Sequence, residues 1–192
     1  MKPGRRAVGI AESYRGTTGS TSTLAGVVVR ADRTVDDFSV SRCTVGGRDS
    51  TEAIIALWRR LDRPDVRYLF LAGSAPAWYN IVDLDAVYQA IDRPVLAVSF
   101  EPSGGLETAI AEAFDGDERD ERLRVYNSLP ERHRLVVGDT ELFVRSVGID
   151  SETTAAVVNA YTERKRPEPL RIAKRLARRL DAARRDGTLA PD

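Results

Sequence analysis

Gly16-Thr17-Thr18-Gly19-Ser20-Thr21-Ser22 joins a short apolar run, Ala7–Ile10, to a longer one, Thr23-Leu24-Ala25-Gly26-Val27-Val28-Val29-Arg30. The linker is small and polar, the composition of a hairpin-like loop. β-branched runs bounded by such loops are strand signals. Val35–Val45 carries the same signal, and Gly46-Gly47 ends it. Three strands therefore follow one another with no helix between them. A flavodoxin-like doubly wound sheet is the main competitor, and it needs a helix between its first two strands. Gly16–Ser22 is too short and too polar to form one.

The pattern then changes period. Asp49-Ser50-Thr51-Glu52 opens a helix as a capping box, and Ile54, Leu57, Trp58 and Leu61 continue it at helical spacing. Val66–Ala72 is an apolar run of the kind buried on both faces. Ile81, Leu84, Val87, Tyr88 and Ile91 form a second helical stripe, and Pro94–Phe100 is another buried strand. Leu106–Phe114 and Glu118–Leu129 are helical. Arg134–Val137 and Leu142–Val147 form a hairpin across Gly138-Asp139, and two helices follow over Asp150–Thr162 and Pro169–Arg185. This order predicts an α/β fold with a ribonuclease-H-like mixed sheet. It has a three-strand antiparallel meander, added parallel strands, and helices on both faces. Right-handed crossovers should place both early helices on one face. The expectation is a single domain over residues 1–192, with residues 164–185 as a basic C-terminal helical segment.

Composition sets further bounds. Hydrophobic residues make up 42% and charged residues 30%, as in ordinary globular chains. No apolar stretch approaches the ~20 residues of a membrane span, and the basic start, Met1-Lys2-Pro3-Gly4-Arg5-Arg6, leads into no apolar signal core. A cytoplasmic location with no membrane partner is expected. Cys43 is the only cysteine, which excludes an internal disulfide and a cysteine-rich metal site; a buried thiol is expected there. His133 is the only histidine, and no serine elbow accompanies it. The net charge is zero, but residues 164–185 hold ten basic residues against two acidic ones, a local balance of +8.

Four segments resemble an archaeal family known as domain-of-unknown-function family 99, or endonuclease dU. They are Gly9-Ile10-Ala11-Glu12; Gly46-Gly47-Arg48-Asp49-Ser50-Thr51-Glu52; Leu71-Ala72-Gly73 with Tyr79-Asn80-Ile81-Val82-Asp83; and Pro167-Glu168-Pro169-Leu170-Arg171-Ile172-Ala173. The family is distantly similar to endonuclease V, which nicks DNA near deaminated bases. The resemblance implies a DNA-repair endonuclease whose magnesium is held by carboxylates on two adjacent strands. At those two positions this chain has Ala11 and Ala72, and a methyl group offers no oxygen to a hard cation.

The remaining candidates follow from that vacancy. Glu12 and Asp83 are the acids left to act as metal ligands and catalytic groups, with Glu168 as a third catalytic candidate. Reciprocal capping explains Asp49 and Glu52 completely without catalysis, and a part in the site stays open. Asn80 suits the N-cap of the next helix, with Asp83 in its first turn. Trp78 and Tyr79 follow a strand's carboxyl end, where they could stack on an unpaired base or close the core. Arg171 could clamp a phosphate, and Arg175 lies on the basic helix. Arg48 and Asn80 join them as substrate-binding candidates. Two functions remain open at this stage. One is a magnesium-dependent endonuclease on deaminated DNA; the other is a catalytically silent descendant that binds nucleic acid or protein. A ligand-binding domain using the strand-end pocket is a third.

Overall fold

The computed structural model describes Lys2 and residues 4–189. Its strands are β1 (Arg6–Ser13), β2 (Thr21–Arg30), β3 (Val35–Thr44), β4 (Val66–Leu71), β5 (Val95–Ser99), β6 (His133–Val137) and β7 (Thr140–Val147). They form one sheet in the order β3-β2-β1-β4-β5-β7-β6. The first three pair antiparallel, as the short polar linker requires. β4 and β5 then add in parallel beside β1, and the β6–β7 hairpin closes the far side against β5. This is the expected ribonuclease-H-like layout.

The helices are α1 (Ser50–Leu61), the single turn α2 (Pro76–Tyr79), α3 (Leu84–Ile91), α4 (Glu107–Ala113), α5 (Gly116–Asn127), α6 (Ser151–Tyr161) and α7 (Glu168–Arg185). The apolar faces of α1, α3, α4 and α5 bury one side of the sheet, against Val8, Ile10, Leu69 and Leu71. Helices α6 and α7 cover the other side, against Ala7, Phe70, Leu96, Val98 and Ala11. The alternation along β1 and β4 is the period-two pleat of a strand buried on both faces. No helix among the described residues is long and apolar enough to cross a membrane.

Two glycines set the approach of the helices. A β-carbon on Gly9 would lie 2.3 Å from the Pro169 carbonyl carbon, and one on Gly26 would lie 2.4 Å from a Leu57 methyl carbon. The absence of side chains at Gly9 and Gly26 therefore lets α7 and α1 lie directly on the sheet.

Three local expectations are corrected. β1 does not stop at Ile10: Ala11, Glu12 and Ser13 stay paired with Ala25, Leu24 and Thr23. The turn after β4 is not simple loop, because Ala77, Trp78 and Tyr79 all take left-handed φ values of 48°, 57° and 57°. The N-cap of α3 is Asp83, whose carboxylate accepts the Ala86 N–H at 2.9 Å. Asn80 is engaged elsewhere.

Candidate functional site

Ile10 and Leu71 face each other across parallel β1 and β4, and the Ala72 N–H extends the ladder to the Ile10 carbonyl at 3.0 Å. Ala11 and Ala72 are therefore neighbours on central strand ends, and both pack on the apolar cluster that contains Ala173 of α7. Their exposure differs. Ala72 lines a strand-end cleft. Ala11 is 2% exposed, because α7 seals the sheet above it.

Past Ala72, strand β4 has ended and the edge of β1 is open. Carbonyls two residues apart on a strand point the same way, so the Glu12 carbonyl follows that of Ile10 into this gap. Lys174 of α7 fills it: its ammonium donates to the Glu12 carbonyl at 2.7 Å and to Glu12 Oε1 at 3.0 Å. The ion pair is mostly covered, with side-chain exposures of 29% and 17%. The same cleft, about 220 Å³, is lined by Ala72, Gly73, Glu101 and Arg166. The Arg166 guanidinium sits 4.1 Å above the Phe100 ring. Lys174 and Arg166 were visible in the sequence only as part of a basic run. The clue to Lys174 was its place one turn beyond the buried Leu170.

The other predicted acids lie elsewhere. Asp83 opens onto a separate cleft shared with Arg48, Thr51 and Glu52. Glu168 faces a third, with Arg164 and Arg171. Arg171 Nε bonds Glu168 at 2.7 Å, and this guanidinium holds the Glu168 carboxyl below the usual range against the opposing effect of burial. The structure thus does not bring Glu12, Asp83 and Glu168 together. Among the described residues no three His, Cys, Asp or Glu groups converge to hold a metal ion. The residues at the vacancy do not fit a magnesium pair. Two positions offer methyl groups, Glu12 is already paired with an ammonium, and Glu101, the other acid lining the cleft, is exposed.

Asn80 is fully buried and organises the start of α1. Its Oδ1 accepts the Ser50 N–H at 3.0 Å, and its Nδ2 donates to the Thr44 carbonyl at 2.9 Å and to Asp49 Oδ1 at 2.7 Å. The Ser50 hydroxyl donates back to the Asn80 carbonyl. Asp49 consequently makes no side-chain cap of its own helix; it accepts the Thr44 N–H and hydroxyl instead. Burial opposes its ionisation, but these bonds from Thr44 and Asn80 prevail and hold its carboxyl below the usual range. Arg48 is exposed and pairs with Glu121. Cys43 is 3% exposed, and burial pushes its thiol up to about 12.

Trp78, Tyr79 and Phe114 form an aromatic cluster, with Trp78 and Phe114 ring centres 5.1 Å apart. Trp78 remains 37% exposed. Its left-handed turn is pinned by the Gly46 N–H donating to the Ala77 carbonyl at 2.8 Å. Arg122, unmarked in the sequence, lies 3.7 Å above the Phe114 ring and donates to the Gly46 carbonyl. Three consecutive non-glycine residues in this region cost on the order of 1 kcal/mol each, and such strain concentrates at functional sites. On α7, Arg175, Arg178 and Arg179 are exposed, with no ion pair among the described residues.

Sheet order and the helices on both faces define a ribonuclease-H-like α/β fold. The endonuclease dU family model matches residues 3–181, and the chain belongs to that family. A UPF0215 protein of Pyrobaculum calidifontis is 36% identical over 171 residues, covering 88% of this chain and 92% of that protein. A crystal structure of a protein of unknown function from Archaeoglobus fulgidus superposes with a TM-score of 0.80 at 24% identity, covering 92% of this chain and 98% of the other. Human ENDOV gives a TM-score of 0.63 at 14% identity, covering 96% and 87%. Endonuclease V of Ciona intestinalis, crystallised with a 24mer DNA containing an inosine followed by a ribo-adenosine, gives 0.60 at 12% identity, covering 92% and 85%. These structural likenesses establish the shared fold.

Proposed function

We propose that this chain is a nucleic-acid-binding member of the endonuclease dU family whose strand-end cleft works without a metal pair. The observation that supports this most is the Lys174 ammonium seated on Glu12 beside Ala72. A fixed cation there can meet a phosphate oxygen, but it cannot generate the metal-bound hydroxide that two-metal hydrolysis needs. Lys174 and Arg166 serve as phosphate contacts, the exposed arginines of α7 extend the track, and Trp78 offers a face for an unpaired base. Deaminated DNA is the substrate class that the family points to. Asp83 caps α3, and Arg48 and Glu168 stand in ion pairs with Glu121 and Arg171, outside this cleft.

The test measures binding and cleavage on uracil- and hypoxanthine-containing oligonucleotides, with magnesium and with chelator. Magnesium should not strengthen binding beyond its general salt effect, and cleavage should be absent or far below ordinary enzymatic rates. The competing reading is a magnesium-dependent endonuclease with relocated acids. Rapid magnesium-dependent cleavage that Glu12→Gln or Asp83→Asn abolishes, without loss of folding, would establish that reading and remove this one.

A further inference from the structure

On the other side of Gly73 lies a second cleft of about 290 Å³, at the carboxyl ends of β4 and β5. Its base is formed by small residues, Gly73, Ser74 and Ala97, which leaves its volume open. Its wall carries two arginines that none of the sequence motifs singled out. Arg132 donates to Ser99 Oγ at 2.9 Å, to the Glu101 carbonyl at 2.6 Å and to the Ser103 carbonyl at 3.1 Å. Its guanidinium also rests 4.2 Å above the Phe143 ring. Arg145 donates to the Pro130 carbonyl and, at 3.2 Å, to the Tyr126 hydroxyl. Carbonyls and hydroxyls orient these two groups but do not neutralise them. Among the described residues neither arginine has a carboxylate partner.

Tyr126 completes the arrangement. It is 6% exposed, and its oxygen already accepts from Arg145 and from the Leu106 N–H at 3.1 Å. Its own hydroxyl hydrogen has no acceptor among the described residues. Tyr126 lines the cleft, so this hydrogen can be donated to a ligand there. Burial first, and the Arg145 charge second, push the Arg132 guanidinium below its usual range. Two like charges crowded in a concave, partly desolvated wall are relieved by an anion.

We propose that this cleft binds a phosphate group, as inorganic phosphate or a phosphomonoester, held by Arg132 and Arg145 with the Tyr126 hydroxyl as third donor. Two guanidinium groups match a dianion in charge, and each keeps N–H donors beyond those bonded to the protein. Glu101 is exposed and, among the described residues, is the only acid lining the cleft. It weakens the site modestly and is not part of it. The proposal stands apart from the nucleic-acid reading, because free phosphate alone can fill the site.

The experiment titrates the full chain at constant ionic strength with inorganic phosphate and with matched oligonucleotides bearing a 5′-phosphate or a 5′-hydroxyl. Saturable phosphate binding is expected, weakened by about tenfold or more in Arg132→Gln and Arg145→Gln, since each removes charge-assisted hydrogen bonds. Tyr126→Phe should weaken it less. Glu101→Gln should tighten it by about twofold, an effect that misfolding cannot mimic. A 5′-phosphate preference that disappears in Arg145→Gln identifies a nucleic-acid end as the source. Equal oligonucleotide affinities with intact phosphate binding identify free phosphate or a small phosphomonoester. No saturable phosphate binding to the wild type overturns the proposal, and so does binding unchanged in both folded arginine variants.

Discussion

At the scale of single residues, the family segments explain one another in pairs. Gly9 has no side chain because Pro169 occupies that space. Asn80 is an amide because it must accept from Ser50 and donate to Asp49 and the Thr44 carbonyl. Segments distant in sequence are thus contacts in space. Gly9→Ala forces a methyl group into Pro169, and overpacking of this kind costs about 1–3 kcal/mol. Urea denaturation should show that loss with an unchanged m-value; wild-type stability would mean that α7 can shift freely. Asn80→Ala removes three hydrogen bonds and leaves Asp49 short of a donor. Its loss should be at least as large by the same measurement, since a buried unsatisfied partner alone costs about 1–3 kcal/mol.

At the scale of elements, the meander and α7 carry separate electrostatic signatures. Asp36 on β3 pairs with Arg30 of β2 at 2.9 Å and with Arg6 of β1, at 9% side-chain exposure. Arg30 chiefly, with Arg6, depresses its carboxyl against the opposing effect of burial. A depressed folded value stabilises the protein above the unfolded value of about 3.9, and that stability is lost as pH falls through the folded value. Asp36→Asn should therefore be less stable than wild type at neutral pH, with the gap closing below about pH 4. A gap that stays constant with pH would mean that the pairing is not electrostatic. Helix α7 buries Leu170, Ala173 and Ala177 and exposes Arg175, Arg178 and Arg179. Each phosphate neutralised adds about 0.9 to the log–log salt slope on duplex DNA. Replacing all three arginines with glutamine should flatten that slope by up to about 2.7 units, read from anisotropy titrations across salt concentrations. An unchanged slope would make this face merely solvated.

At the scale of the whole molecule, α7 shapes the strand ends at Ala11 and Ala72 as much as the residues there do. Ala11→Asp alone places a carboxylate under Ala173, where an unpaired polar group is costly. Ala11→Asp with Ala72→Asp supplies two carboxylates at adjacent strand ends. Magnesium should then raise the melting temperature of the double variant, because an ion that binds only the folded state stabilises it. Wild type should show no such shift, and magnesium-dependent cleavage should rise only in the double variant. If magnesium leaves the double variant's melting temperature unchanged, Lys174 blocks the site even when both acids are present. The sequence alone determined the sheet. Period-two runs, the polar Gly16–Ser22 linker and the helical stripes are local signals, and right-handed crossover leaves few ways to join them. The reading of Ala11 and Ala72 as positions where carboxylates are expected came from the family resemblance, not from any periodicity. Only the tertiary structure decided which charges meet. Glu12 with Lys174, Asn80 with Asp49, and Arg132 beside Arg145 are separated in sequence by 162, 31 and 13 residues. No periodicity encodes such pairs; they exist because the fold brings β1 to α7, the start of α1 to the segment after β4, and the two strands of the β6–β7 hairpin together.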